Sequence, residues 1–271
     1  MKRCSFRLLT GLFIVLLMAQ CAKVPITGRS QLSLIPNKDV LPMSFEQYEE
    51  VKKTNEVITS GEQAEMVKRA GTRIQKGVEK YFAEQGQSGY LNDYEWEYIL
   101  IKDDETVNAW CMPGGKVAFY TAILPICKDE TGLAVVMGHE IAHAIANHGR
   151  ERISHTLAVQ TGLSLATIAL GGAGASLTGD MVLQGAGAAS NLGILKFSRK
   201  HESEADELGL YFMAMAGYDP QQAPAFWERM SAQSGGKAPP EFMSTHPSHS
   251  TRISDLQQNM PKALEYYRQA Q

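Results

Sequence analysis

The chain has 271 residues, 44% of them hydrophobic and 20% charged, with a formal net charge of −3. That is the composition of an ordinary globular protein large enough for a real core, with one domain as the default expectation. Charge this close to neutral, with no basic stripe, excludes a nucleic-acid-binding role.

Residues 1–20 read as an export signal. Lys2, Arg3 and Arg7 form a positive start, and the apolar run from Leu8 to Met18 is too short to span a bilayer as a stable helix. Leu17-Met18-Ala19-Gln20-Cys21 resembles the lipobox of bacterial lipoproteins, in which the Cys becomes the first mature residue and carries the acyl chains. Gln20 departs from that pattern, since a small residue normally precedes the Cys. Lipidation at Cys21 is the expectation, with plain cleavage or an uncleaved anchor as the alternatives. Ala22 follows with no acidic cluster, which points to the outer membrane, facing the periplasm. In that oxidising compartment Cys111 and Cys127 stand either as a disulfide or as two separately buried thiols.

Residues 21–42 carry Pro25, Gly28, Pro36 and Pro42 among polar residues and read as an extended, lipid-tethered linker, leaving 43–271 as the folded domain. Ser60-Gly61-Glu62-Gln63 is a capping-box start for a helix with apolar positions Ala64, Val67, Ile74, Val78 and Phe82, interrupted at Ala70-Gly71. Tyr94 to Ile101 and Val117 to Tyr120, the latter after a Pro113-Gly114-Gly115 turn, predict two or three short strands. Asn108 to Tyr120, and Asn108 and Ala109 in particular, form a candidate edge to which an extended polypeptide could add its own backbone; a plain packed hairpin is the other reading.

The stretch that carries chemistry is His139-Glu140-Ile141-Ala142-His143. At about 3.6 residues per turn, positions four apart share a helix face, so both imidazoles can reach one Zn²⁺ at about 2.0–2.1 Å. Glu140 stands one step round, placed to take a proton from water rather than to bind the metal. The preceding run Thr131 to Met137 is apolar and makes the helix half-buried, with Asp129 as its N-cap and Gly149 as its stop. Leu157 to Leu195 is rich in Gly, Ala and Leu, but its glycines exclude a membrane span; two broken helices against the site, or a lid, are the alternatives.

A catalytic zinc needs a third protein ligand and an open position. The pattern H-E-x-x-H-x-x-G-x-x-H fails, because Ala146 and Gly149 stand where Gly and His are required. Glu202 and Asp206, four residues apart on one helix face, fit instead, one to bind zinc and one to orient an imidazole. Thr245-His246-Pro247 lies in a proline-punctuated loop, and His148, His155, His201 and His249 read as solvated or helix-end residues. Arg252 either pairs near the site or caps the last helix.

These motifs together resemble a known family, the gluzincin zinc metallopeptidases that include HtpX and the CAAX prenyl endopeptidase, and most of all its exported BepA- and LoiP-type lipoproteins. The resemblance rests on Val24-Pro-Ile-Thr-Gly-Arg29, Asn108-Ala109, Pro113-Gly114-Gly115, His139 to His143, Glu202-Ser-Glu-Ala-Asp206, Thr245-His246-Pro247 and Arg252-Ile253. It implies an α+β, mainly α-helical, zincin-like fold with a small antiparallel sheet before the H-E-x-x-H helix. It implies one Zn²⁺ per chain held by His139, His143 and Glu202, with Glu140 and Asp206 as the catalytic pair and Glu204 as a bland surface residue. His246 is then a fourth ligand that latches the zinc; transition-state hydrogen bonding and a capped surface loop are its other readings. The expected activity is peptide-bond hydrolysis in unfolded or misassembled envelope proteins, for quality control at a lipid-anchored membrane location. A non-proteolytic periplasmic chaperone using a latched zinc groove is the alternative.

Overall fold

The computed structural model describes residues 21–169, 198–233, 241–247 and 251–271, with side chains from 22 to 159 in the first stretch. The expected export signal, the body of the Gly-rich region beyond 169, and His249 lie outside the described residues.

Residues 21–42 are folded, in contrast to the extended linker expected of them. β1 (Cys21–Lys23) pairs antiparallel with β2 (Ser30–Leu32), with Cys21 opposite Leu32. The turn between them closes through the Val24 N–H on the Arg29 carbonyl at 2.8 Å and the Gly28 N–H on the Val24 carbonyl at 3.0 Å. α1 (Asn37–Thr54) starts directly after Pro36, which marks where the helix begins, and carries Pro42 inside its second turn.

A four-stranded sheet follows, ordered β3 (Val57–Ile58), β4 (Glu97–Ile101), β6 (Lys116–Tyr120) and β5 (Ala109–Met112). Its outer pairings are antiparallel and the central β4 with β6 pairing is parallel. Side chains alternate between two cores as strand geometry requires. Tyr98, Leu100, Val117, Phe119 and Ala109 join the main core, whereas Ile99, Ile101, Ala118, Trp110 and Met112 meet Tyr48 of α1 on the other face. β5 is an outer strand and β6 an inner one, so within Asn108 to Tyr120 the available edge is β5.

α2 (Glu62–Glu84) buries the predicted stripe, and each of Val67, Ile74, Val78 and Phe82 contributes about 1.5–3 kcal/mol by leaving water. The break in that stripe has a cause, because Tyr98 lies against Gly71 and a Cβ there would meet its ring at 2.3 Å. Its N-cap is Gly61 at φ 99°, with no side-chain cap, so the expected capping box does not form.

Downstream lie α3 (Leu124–Cys127), α4 (Glu130–Ile145), α5 (His148–Ala169), α6 (Arg199–Met215), α7 (Gln222–Ala232), α8 (Glu241–Thr245) and α9 (Arg252–Ala270). α4 is capped by Asp129, whose carboxylate accepts the Gly132 N–H at 2.9 Å. It is buried on every side from Gly132 to Ile145, more deeply than its apolar first half implied, because α2, α6, α7 and β5 surround it. It ends at Asn147, left-handed at φ 56°, and not at Gly149, which lies inside α5. α4 and α6 cross at a glycine pair, where a Cβ on Gly138 would sit 2.6 Å from the Gly209 carbonyl oxygen and one on Gly209 2.7 Å from the His139 nitrogen. Only two glycines allow that approach, and it sets α6 against the His139 face of α4. No helix of the described residues is long and apolar enough to cross a membrane.

Candidate metal centre

α4 supplies His139, Glu140 and His143, α6 supplies Glu202 and Asp206, and the turn after α8 supplies His246. All six side chains are at most 4% exposed. One donor atom from each of His139, His143, Glu202 and His246 lies within 4.8 Å of the others. The nearest separations are 3.1 Å between the His139 and His143 Nε2 atoms, 3.4 Å from His143 Nε2 to Glu202 Oε1 and 3.5 Å from His139 Nε2 to Glu202 Oε2. His246 Nδ1 stands 3.2 Å from Glu202 Oε1 and 3.4 Å from His139 Nε2. Four ligands tetrahedrally arranged about 2.0–2.1 Å from zinc are spaced by about 3.3 Å, so this donor set has the size and chemistry of a zinc site.

Charge states agree with that fit. Burial pushes the His143 imidazole well below its ordinary range, leaving it neutral. Burial opposes the Glu202 charge, but His246 and the two α4 imidazoles outweigh it and hold the carboxyl well below the usual range. Burial also disfavours a charged His139, yet Asp206 and Glu202 raise it to about 9, so zinc enters against a proton there. Asp206 Oδ1 lies 3.0 Å from His139 Nδ1, and neither atom has another hydrogen-bond partner. That contact leaves Nε2 of His139 turned to the other donors.

Glu140 Oε1 accepts no hydrogen bond although it is buried, and His246 Nε2 stands 3.6 Å away. Burial pushes the Glu140 carboxyl up, with His246 and His139 opposing, and the Cys111 backbone N–H of β5 donates to it. The predicted edge therefore runs beside this carboxylate. Ala109 is fully buried there, and Asn108 accepts the Ala109 N–H at 2.9 Å and so orders the start of β5. Cys111 and Cys127 are separate thiols, with no disulfide between them.

The fold also brings in residues whose place the sequence left open, as for Arg252, or missed. Arg252 is 2% exposed and bridges the two α6 carboxylates, donating to Asp206 at 2.7 Å and Glu202 at 3.0 Å, while its guanidinium stacks 3.9 Å over Trp227. Trp227 in turn meets the His139 ring edge-on at 5.2 Å. His148 and His201, expected in solvent, are buried and stacked on each other at 4.4 Å. His148 Nδ1 is 2.9 Å from His143 Nδ1, and its Nε2 is 2.9 Å from Glu204 Oε2. Glu204, read as bland, is 6% exposed and also takes hydrogen bonds from Thr27 and Arg29. Arg29 completes the cluster by a two-pronged pair with Glu151 at 2.9 and 2.7 Å, and His201 meets Glu151 at 3.1 Å. The only available signal was the likeness of Val24 to Arg29 to a family motif, which says nothing of its partners. Among the described histidines, His155 alone is exposed, 3.7 Å from Glu151.

Burial opposes ionisation of Glu151 and Glu204, but His201 and Arg29 on the first, and His148, Thr27 and Arg29 on the second, hold both near pH 2. Their folded values lie below an unfolded value of about 4.3, so they stabilise the fold above that pH and cease to do so as pH falls toward 2. Thermal melts between pH 5 and pH 2.5 should therefore fall more steeply for the native chain than for Glu151→Gln. Parallel slopes would mean that Glu151 contributes nothing to acid sensitivity.

The profile of peptidase family M48 matches residues 69–260, which contain His139, His143, Glu202 and His246. The chain belongs to peptidase family M48. Among its relatives, this M48 chain is 43% identical over 176 residues to mitochondrial metalloendopeptidase OMA1 of Schizosaccharomyces pombe, covering 64% of this chain and 49% of that protein. It is 32% identical over 269 residues to the mitochondrial metalloendopeptidase OMA1 of Bos taurus, 94% of this chain and 49% of that protein. The beta-barrel assembly-enhancing protease of Escherichia coli K12 is 32% identical over 169 residues, 59% of this chain and 33% of that protein. The M48 chain thus spans about half the length of the OMA1 relatives it matches. The expected gluzincin likeness holds at the level of family M48, with OMA1 proteins matching more of the chain than the bacterial protease does.

Proposed function

We propose that this chain is a zinc metalloendopeptidase that cuts unfolded or misassembled polypeptides of the cell envelope while tethered to a membrane, the outer membrane facing the periplasm, through a lipid on Cys21. The observation that carries the reading is the set of four buried donors at tetrahedral spacing beside Glu140, whose buried Oε1 accepts no hydrogen bond among the described residues. His139, His143 and Glu202 hold the metal, and Asp206 and Arg252 fix the orientation of His139 and Glu202. Zinc bound there would supply Lewis acidity, polarising a carbonyl and lowering the pKa of water to about 7. Glu140 Oε1 takes the proton of the attacking water and passes it to the leaving amine. Substrate lies extended along β5, adding its backbone to the outer strand next to Glu140.

Incubation of the zinc-loaded protein with an unstructured peptide library tests this. Internal cleavages that stop on chelation and return with zinc are expected; a zinc-replete protein that leaves every peptide intact sinks it. The second reading, a chaperone that only holds extended chains, draws on His246, which fills the fourth corner of the donor set.

The membrane reading is supported by the charged and apolar start of the chain and by Cys21 at the lipobox position, and the E. coli relative carries β-barrel assembly in its name. Cys21→Ala should move the protein from the membrane to the soluble fraction. Retention of Cys21→Ala in washed membranes rules out a lipid tether.

A further inference from the structure

The geometry points to the N-terminal hairpin as a working part of the metal centre: we propose that Arg29 and Thr27 are positioning residues that set, through Glu204 and His148, which nitrogen of His143 faces the metal. The inference rests on the zinc reading above. The connection is continuous. The Thr27 hydroxyl donates to Glu204 Oε1, and Arg29 Nε donates to Glu204 Oε2 at 2.6 Å. Glu204 Oε2 meets His148 Nε2 at 2.9 Å, and His148 Nδ1 meets His143 Nδ1 at 2.9 Å.

Proton accounting along that line allows one arrangement. A carboxylate whose oxygens take bonds from Thr27 and Arg29 can only accept, so His148 Nε2 carries the hydrogen. Neutral His148 then has its lone pair on Nδ1, and His143 must donate its own Nδ1 hydrogen to it. His143 Nε2 is left with its lone pair pointing at His139 and Glu202, where the metal sits. If Glu204 is displaced, His148 can turn its hydrogen to Nδ1. His143 then accepts, and its own hydrogen moves to Nε2, where it blocks the metal. His139 obtains the same fixed Nδ1 from Asp206 on the same helix bundle, whereas His143 obtains it from a segment more than a hundred residues away. The hairpin turn is rigid enough for this, with Ile26 and Gly28 both left-handed at φ 71° and 68° and the turn closed by its own hydrogen bonds. Arg29 also anchors the hairpin to α5 through Glu151, which fixes its height over Glu204.

Partners behind a metal-binding imidazole typically govern about 10–100-fold in metal affinity. The test is zinc affinity by competition with a chromophoric chelator, on the full chain, for Arg29→Gln, His148→Leu, His148→Asn and the double variant Arg29→Gln with His148→Leu. The Co²⁺-loaded absorption spectrum serves as a second readout. Arg29→Gln and His148→Leu should each weaken zinc by about 10–100-fold, and the double variant should be no weaker than His148→Leu alone. His148→Asn keeps an acceptor oxygen at the Nδ1 position and should restore most of the affinity and the Co²⁺ spectrum. Folded Arg29→Gln with native zinc affinity overturns the proposal, and so does a fully additive double variant. Should Arg29→Gln not fold, Thr27→Val takes its place under the same criteria. Failure of the unaltered protein to bind zinc would refute the zinc reading itself, a separate result.

Discussion

Glu140→Gln should lower kcat/KM on an unstructured polypeptide by about 10³-fold or more and leave zinc content unchanged. Positioned acid–base groups contribute about 10²–10⁴-fold, and Glu140 is asked both to accept the water proton and to deliver it to the leaving amine. In free-energy terms, 10³ is about 4 kcal/mol of transition-state stabilisation. The substitution is clean because Gln keeps the volume of a side chain that is 1% exposed and keeps an oxygen for the Cys111 N–H. What disappears is the ability of the buried Oε1 to hold a proton. Since Glu140 is not among the four clustered donors, the metal should stay. Activity within tenfold of native, with zinc retained, would remove Glu140 from the reaction; loss of zinc would make it part of the metal site.

The second large effect runs in the opposite direction. His246→Ala should raise kcat/KM by about tenfold or more, with zinc still held by three donors. His246 is 2% exposed, its ring stacks on Phe242 at 4.6 Å, and its Nδ1 sits at coordination spacing from Glu202 and His139. A substrate carbonyl must take that corner, so the affinity of the closed form is subtracted from every productive encounter. Acting as a latch, His246 would also be placed to sense occupancy of the groove: the Phe242 N–H donates to the Val107 carbonyl at 3.0 Å, two residues before β5. A peptide arriving on β5 therefore meets the segment that carries His246. A fall in activity in His246→Ala would instead assign it to transition-state hydrogen bonding, and no change would make it a bystander.

What the sequence made legible was local. His139 with His143, and Glu202 with Asp206, each follow from one turn of helix, and Asp129 as a cap follows from its chemistry; the structure puts all of these where that logic expects them. The β strands were legible as strands, but their order was not, since the parallel union of β4 with β6 depends on a crossover that no short pattern encodes. Prolines misled at residues 21–42, because the same residue types open helices and turns as well as linkers. His148 and Glu204 were discounted because charged residues at helix ends usually face water, and Arg252 was left between pairing near the site and capping the last helix. Each becomes part of the centre through a partner 46 or more residues away: Asp206 and Glu202 for Arg252, and Glu204 for His148.

Under the proposed lipid tether on Cys21, the β1 and β2 hairpin would set the working distance of the protein. Backbone pairing begins at Cys21 itself, opposite Leu32, so the proposed acyl chain on that residue would enter the bilayer with no slack between membrane and fold. Such a molecule cannot sweep a wide radius as one on a disordered stalk would. With the proposed anchor it would be held with one side against the lipid, in a nearly fixed attitude, and its groove would reach only chains that emerge close to the membrane surface. Selection of substrate would then depend on where a polypeptide stalls as much as on what its sequence is.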